Sequence, residues 1–332
     1  MATHLVTGGN GFIGAALVKE LLAAQHQVRV LDDLSRGHPR RLENVADKVQ
    51  MLEGDVRNPE DLRHATKGCE TVWHLAFING TRFFYERPDD VLEVGIKGTC
   101  NAIEAALAAN AKRFVFASTS ETYNQPTHVP TAETERLIIP DITNPRFSYG
   151  GGKLAGELLT LHYAARRGLE TIIVRPHNIY GPDMGFEHII PEITARIFDL
   201  AGGEKGGRVK LPIQGDGGET RAFCHIADAA PGVRLAGEQG TSGEIYHLGC
   251  QEETAISALI ETIGQVLDVE LELVPGPLRP GSTPRRCPDI SKLSALGYHP
   301  GVTLQEGLRK TVEWYWGWYR EHGIEESPHL KP

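Results

Sequence analysis

Tyr149 and Lys153 are the residues of this sequence whose types and spacing most directly suggest chemistry. Residues four apart on a helix share a face, so a phenol and an ammonium would stand side by side. A free tyrosine hydroxyl has a pKa of about 10, too high for a base at neutral pH, and a neighbouring cation favours the phenolate. The pair is expected to act as a general base towards a hydroxyl proton. Thr119, closing the strand-like run "KRFVFAST", could hydrogen-bond the same hydroxyl, and Ser120 and Glu121 follow it directly. The Y-x-x-x-K spacing also arises by chance on helix faces, so its meaning depends on the elements around it.

Those elements begin at once. The stretch "LVTGGNGFIGAALVKELL" places Gly8, Gly9, Gly11 and Gly14 between an apolar strand-like run and a helical one, and "QVRVLDD" reads as a second strand ending in Asp32 and Asp33. In such a βαβ unit Gly8, Gly11 and Gly14 allow a tight turn, close approach of a pyrophosphate and packing of helix on strand. The helix N-terminus at Phe12 and Ile13 offers free N–H groups to phosphate. Asp32 would accept hydrogen bonds from a ribose diol and repel a 2′-phosphate, which makes NAD the expected cofactor. A positively charged nicotinamide would add to the effect of Lys153 on Tyr149, and Lys153 would also fix the nicotinamide ribose.

Strand-like runs continue at "KVQMLEGDV", "ETVWHLA", "KRFVFAST" and "LETIIVRP", with helical runs between them at "GTCNAIEAALAAN" and "KLAGELLTLHYAARRG". This alternation predicts a Rossmann-type, doubly wound parallel α/β sheet. Ligands of such sheets lie at the carboxyl ends of the strands. That rule brings Asp55, Val56, Leu75, Ala76 and Pro176 to the cofactor. After Pro176, glycine and proline become frequent in "AGGEKGGRVKLPIQGDGGE" and "LVPGPLRPGSTPRRCPD", so a smaller second region is expected, returning to the sheet near "EIYHLGC".

Composition excludes several other classes. The chain has 332 residues, 40% of them hydrophobic, enough for a full core. A net charge of -9 without any basic stripe argues against nucleic acid or an anionic membrane as partner. Five scattered cysteines, never spaced C-x-x-C, argue against disulfides and zinc, and no metal ligand set is expected. A strand-like start with no signal-like or spanning apolar segment suggests a cytoplasmic protein.

Taken in order, the glycine loop and "LDDLSRG", "EGDVRN", "VWHLA", "KGTCNAIEAA", "FVFASTSETY", "SYGGGK", "RPHNIYGP" and "ETRAFCHIADAA" resemble the successive blocks of the extended short-chain dehydrogenase/reductases. Within that family they resemble nucleotide-sugar epimerases, dehydratases and decarboxylases. The resemblance implies a cofactor domain over 1–176, with returns near 221–250 and 287–296, and a mainly nucleotide-sugar-binding region over 177–332. It implies oxidation at C4 of the sugar, with Thr119, Ser120, Glu121, Tyr149 and Lys153 as catalytic residues. Asn178, Arg221 and Arg286 match positions that meet the nucleotide diphosphate, a task that suits the arginine fork. A homodimer is implied, paired through helices beginning near Val91 and Tyr149.

Glu121 divides the possible reactions. Simple 4-epimerases of this family usually carry a small or hydroxyl residue there. "TSE" resembles the triplet of UDP-glucuronate decarboxylases and 4,6-dehydratases, in which a carboxylate can serve chemistry at C5 or C6. The other reading makes Glu121 a cap of the following turn. "NGTRFFYERP", around Arg82, resembles instead the loop of glucuronate 4-epimerases and implies a substrate contact for Arg82. Two departures stand out. Gly95 replaces the family's usual Asn, and Gly150–Gly152 cost a helix about 1 kcal/mol each against alanine, which implies either close approach of a ligand or a loose helix start. His74, His177 and His188 are isolated histidines and receive no catalytic role.

Overall fold

The computed structural model describes residues 2–277 and 283–324. Part of the turn-rich stretch before Arg285, and the end of the expected substrate region, lie outside the described residues.

The strands β1 (Thr3–Thr7), β2 (Gln27–Asp32), β3 (Val49–Glu53), β4 (Thr71–His74), β5 (Arg113–Ala117) and β6 (Glu170–Pro176) join Glu244–Leu248 in one sheet. Its order is Glu244–Leu248, β6, β5, β4, β1, β2, β3, and every pairing is parallel. The doubly wound sheet read from the sequence is present, including the return at "EIYHLGC". Both faces are covered, which explains the unbroken apolar runs of its strands. In β1, Val6 points into the core shared with α1 (Phe12–Ala23) and the helix Ile226–Gln239. Its neighbour Leu5 joins the opposite core with Leu62, Ala102 and Ile103. The chain winds rightward from β1 to β2 and β3 and leftward to β4, so the switch point lies between β1 and β4. A ligand cleft belongs there.

A third core gathers Ile190, Ile193, Leu259, Ile263, Leu308, Val312 and Tyr315 beneath the helices Ile189–Leu200, Ile256–Leu267 and Leu304–His322. The last helix begins on a capping box in which Thr303 and Glu306 satisfy each other's backbone N–H groups. Small ribbons complete this part. Thr220–Ala222 pairs antiparallel with Glu253–Ala255 and parallel with Arg285–Arg286, and the register places Arg221 directly beside Arg286. That pairing brings two distant arginines to one place.

The helices expected to face a partner are longer than the sequence suggests. Pro88–Leu92 continues through a wide π turn, Glu93–Lys97, into Gly98–Ala108, and Ser148–Leu158 continues similarly through Leu159–Ala164.

Candidate active site

The glycine loop sits at the switch point for steric reasons. Gly8 has φ +70°, and a Cβ there would lie 2.8 Å from the backbone of Ala76 at the end of β4. A Cβ on Gly14 would lie 2.1 Å from the Gly8 carbonyl oxygen, so helix and loop approach as closely as backbones allow. Gly11 caps α1 without a side-chain acceptor, leaving the first-turn N–H groups of the helix for a ligand. The side chains of Phe12 and Ile13 pack into the third and first cores, so their part in binding falls to the backbone. In front of the loop a cavity is lined by Gly8, Gly11, Asp32, Asp55, Val56 and Ala76, with Asp33, Leu75 and Phe77 completing its walls.

Asp32 is 7% exposed. Burial pushes its carboxyl above the ordinary range, opposed by N–H bonds from Asn10 (2.8 Å) and Leu34 (3.0 Å) that hold it at the cavity. Asp33 folds back on Ser35, accepting from its N–H and hydroxyl. Asp55 lines the same cavity, but its carboxylate is taken by the Arg57 Nε at 2.8 Å. Val56 is buried against Gly98. Pro176 ends β6, paired with Leu248.

The arginines of the loop after Asp32 pair with distant acids, although Arg36 also lines the cavity. Arg40 grips the Asp183 carboxylate in a fork at 2.9 and 2.6 Å, Arg41 donates to the Asp183 carbonyl, and Arg36 pairs with Glu187 at 2.7 Å. Asp32 is left with its carboxylate on the cavity, bonded to the Asn10 and Leu34 N–H groups. These residues fit NAD, whose chemistry when bound is to accept a hydride from a carbinol and return it.

Tyr149 and Lys153 lie on the buried face of the helix Ser148–Leu158, 7% and 3% exposed. The Tyr149 ring is stacked on Phe84 at 5.0 Å and meets Phe77 edge-on at 5.2 Å. Burial drives its hydroxyl well above the ordinary phenol range, with the hydrogen bond to Thr119 opposing. The expected side-by-side pairing is looser than the spacing implied. Lys153 Nζ is 5.9 Å from the Tyr149 ring centroid and donates to the Ala117 carbonyl at 2.5 Å. Burial pulls its ammonium down to about 7, with Glu157 opposing. The phenolate is thus not the resting form, and a further positive charge at the site is required to favour it.

Thr119 and Glu121 flank the tyrosine. The Thr119 hydroxyl accepts the Glu121 N–H at 3.2 Å and caps the short turn Ser120–Tyr123, within which Ser120 is buried. Since Thr119 supplies the cap, Glu121 is free of that duty. Its carboxylate instead forms an ion pair with Arg286, which, with Arg146 and Arg221 nearby, holds it below the usual carboxylate range. Arg221 itself is lowered to about 10, by burial first and by Arg286 second. Asn178, held at φ +43°, donates its side-chain amide to the Ala222 carbonyl at 3.2 Å and so anchors the strand that carries Arg221.

Arg82 stands apart. It is exposed on the short helix Thr81–Glu86 and paired with Glu86 at 2.8 Å one turn on, so its expected substrate contact has no support in the geometry. His74 is buried between the hydroxyls of Thr7 and Thr99 and lowered to about 3 by burial, a packed residue. His177 is buried beside His247, and His188 stands at the start of the helix Ile189–Leu200. Sequence reasoning missed Phe77, Arg146 and the buried pair of Glu157 with Arg175. Arg146 was within reach, three residues before Tyr149, whereas Phe77 is simply an apolar residue after the run "ETVWHLA".

Comparison with known proteins completes the picture. The family model described as "NAD dependent epimerase/dehydratase family" matches residues 4–249. The chain belongs to this family. It is 30% identical over 321 residues to a UDP-N-acetyl-alpha-D-glucosaminuronate decarboxylase of Bacillus cytotoxicus, covering 94% of this chain and 97% of the relative. A dTDP-glucose 4,6-dehydratase from Streptomyces venezuelae, solved with NAD and TYD bound, superposes with TM-score 0.83 at 30% identity, covering 96% and 97% of the two chains. A Thermotoga maritima UDP-glucose 4-epimerase solved with UDP-glucose gives 0.81 at 28%, covering 94% and 98%. The chain is an NAD-dependent enzyme of the nucleotide-sugar epimerase, dehydratase and decarboxylase group. Among the described residues no helix is long and apolar enough to cross a membrane, and no cluster of His, Cys, Asp and Glu could hold a metal.

Proposed function

We propose that this enzyme removes carbon dioxide from a nucleotide-diphosphate hexuronate after oxidation at C4. The observation that carries the reading is the ion pair of Glu121 with Arg286, set among Arg221 and Arg146 beside Thr119 and Tyr149. A plain 4-epimerase needs guanidinium groups for the nucleotide diphosphate but has no step that calls for a carboxylate at Glu121. A sugar carboxylate gives the guanidinium groups a further use, because arginine forks bind carboxylates bidentately. Tyr149 takes the proton of the C4 hydroxyl, Thr119 orients that hydroxyl, and Lys153 holds the phenolate electrostatically. Once C4 is a ketone the C5 carboxylate is a β-keto acid. Its C5–C6 bond breaks, carbon dioxide leaves, and the electron pair becomes an enolate that is reprotonated at C5. Arg286 holds the leaving carboxylate, and Glu121 relays to the C5 carbon of the enolate a proton taken up from solvent.

The low-lying Glu121 carboxylate also favours a second reading, a 4,6-dehydratase in which it removes the C5 proton as water leaves from C6. Asn178 and Arg221 are assigned to the nucleotide diphosphate in either case. A homodimer fits the exposed apolar residues Leu92 and Ile96 on one partner helix and Leu158 on the other, two helices that pack together. Five free cysteines suit a reducing, cytoplasmic setting. Incubation with a panel of nucleotide sugars, read by product mass, tests the function. Loss of carbon dioxide supports the first reading, loss of water the second, and an isomer of unchanged mass defeats both.

A further inference from the structure

Lys153 poses a problem that the active site as described leaves unsolved. It is a buried ammonium, 3% exposed, and such a charge is costly unless something meets it. Glu157, one turn on, is the carboxylate that acts on it most directly, yet both Glu157 oxygens are bound by Arg175, at 2.8 and 2.5 Å, and Ser118 adds a third bond at 2.5 Å. His74 faces Lys153 from β4 and is neutral, and Tyr149 on the same helix is protonated. The polar partner in contact is the Ala117 carbonyl. The remaining neighbours are aromatic faces. Nζ stands 3.9 Å from the centroid of Phe77 and 5.0 Å from that of Phe116.

The space for the Phe77 ring has been cleared on two sides. A Cβ on Gly95 would lie 2.3 Å from Phe77 Cζ, and one on Gly152 would lie 3.1 Å from the same atom. Gly150 and Gly151 have only ordinary contacts, so of the glycine run Gly152 alone is required for closeness, and what it makes room for is Phe77. Phe77 also meets Tyr149 edge-on. One ring therefore touches both members of the pair and is seated by glycines from two different helices.

We propose that Phe77 is a positioning residue for the reaction, its ring face holding the Lys153 ammonium in place and in its charged form, with Gly95 and Gly152 as the seat of that ring. The inference rests on Lys153 serving Tyr149 as proposed above. A cation over an aromatic face is stabilised enough to raise its pKa by roughly half a unit to one unit. Phe77→Leu keeps an apolar side chain of similar bulk and removes the π face. Its Lys153 should lose the proton at lower pH, moving the alkaline limb of the kcat profile down by about half a unit to one unit. KM for the nucleotide sugar should stay within about twofold, because a positioning residue acts on the chemical step.

A direct readout separates this idea from the function itself. NMR titration of isotope-labelled lysine, with Lys153→Met identifying the signal, should show the Lys153 midpoint moving down in Phe77→Leu. Gly95→Ala, which pushes the ring off its seat, should produce the same shift, and the double variant Gly95→Ala/Phe77→Leu no larger one. An unchanged Lys153 midpoint in folded Phe77→Leu overturns the proposal even if the enzyme is active. Full turnover by Lys153→Met would instead overturn the role of Lys153 on which it rests.

Discussion

Replacing Arg286 by methionine should separate catalysis from stability. The ion pair with Glu121 is partly open to solvent, with 14% of the Arg286 side chain and 39% of the Glu121 side chain exposed. Pairs in such settings contribute about 1 kcal/mol or less, so the melting temperature should fall by no more than about 4 °C in a chain of this size. The loss in turnover should be far larger. Arg286 is the main cause of the low Glu121 carboxyl, and in the proposed reaction it is the group that holds the sugar carboxylate. Removing one acid–base or charge-holding group typically costs about 10²–10⁴-fold, equivalent to about 3–5 kcal/mol in the barrier. With Arg286 gone, the Glu121 carboxyl rises, because the cation that chiefly lowers it is removed. The acidic limb of the residual activity should therefore move to higher pH. The assay is kcat/KM against pH with a UDP-hexuronate, beside a thermal melt of the same protein. A folded Arg286→Met enzyme within about fivefold of wild type would refute the reasoning.

Other expectations follow from the same geometry. Glu121→Gln should keep its fold and its C4 oxidation while product release stops, so a 4-keto sugar should accumulate by mass spectrometry; undiminished product would reduce Glu121 to a structural residue. Arg175→Met leaves Glu157 charged and buried, their side chains being 2% and 4% exposed, and should cost about 3–5 kcal/mol in urea unfolding, most of it recovered in Arg175→Met/Glu157→Leu. Lys153→Met should abolish turnover yet stabilise the protein. The native ammonium is lowered to about 7, so the wild type bears the full burial penalty below that pH and sheds it as pH rises towards the ordinary lysine value. The stability gain should accordingly be larger at about pH 6 than at about pH 9.5. Leu158→Glu combined with Ile96→Glu should give a monomer by light scattering; an unchanged dimer would move the interface elsewhere.

Local pattern made much of this molecule legible. The glycine loop, the acid closing β2 and the strand–helix alternation are short-range features, and the sheet formed around them as their periods required. Glu121 was legible as a residue but its partner was not, because Arg286 arrives 165 positions later through a parallel ribbon whose register no local signal sets. The partners of the arginines after Asp32 were not legible either, because Asp183 and Glu187 lie more than a hundred positions away. Gly95 and Gly152 read as two separate oddities. They share one cause, Phe77, which in sequence is simply another apolar residue after a strand. Arg82 is the converse case, since the stretch around it read as a loop and is a short surface helix in which Arg82 pairs with Glu86.

The measurement that bears most directly on the central claim is the fate of carbon C6 in a UDP-hexuronate labelled at that atom. The purified enzyme should release the label as carbon dioxide and leave a UDP-pentose, and Tyr149→Phe should release none. Retention of the label in a product of unchanged mass, formed at full rate by wild type, would contradict decarboxylation and assign this site to epimerisation at C4.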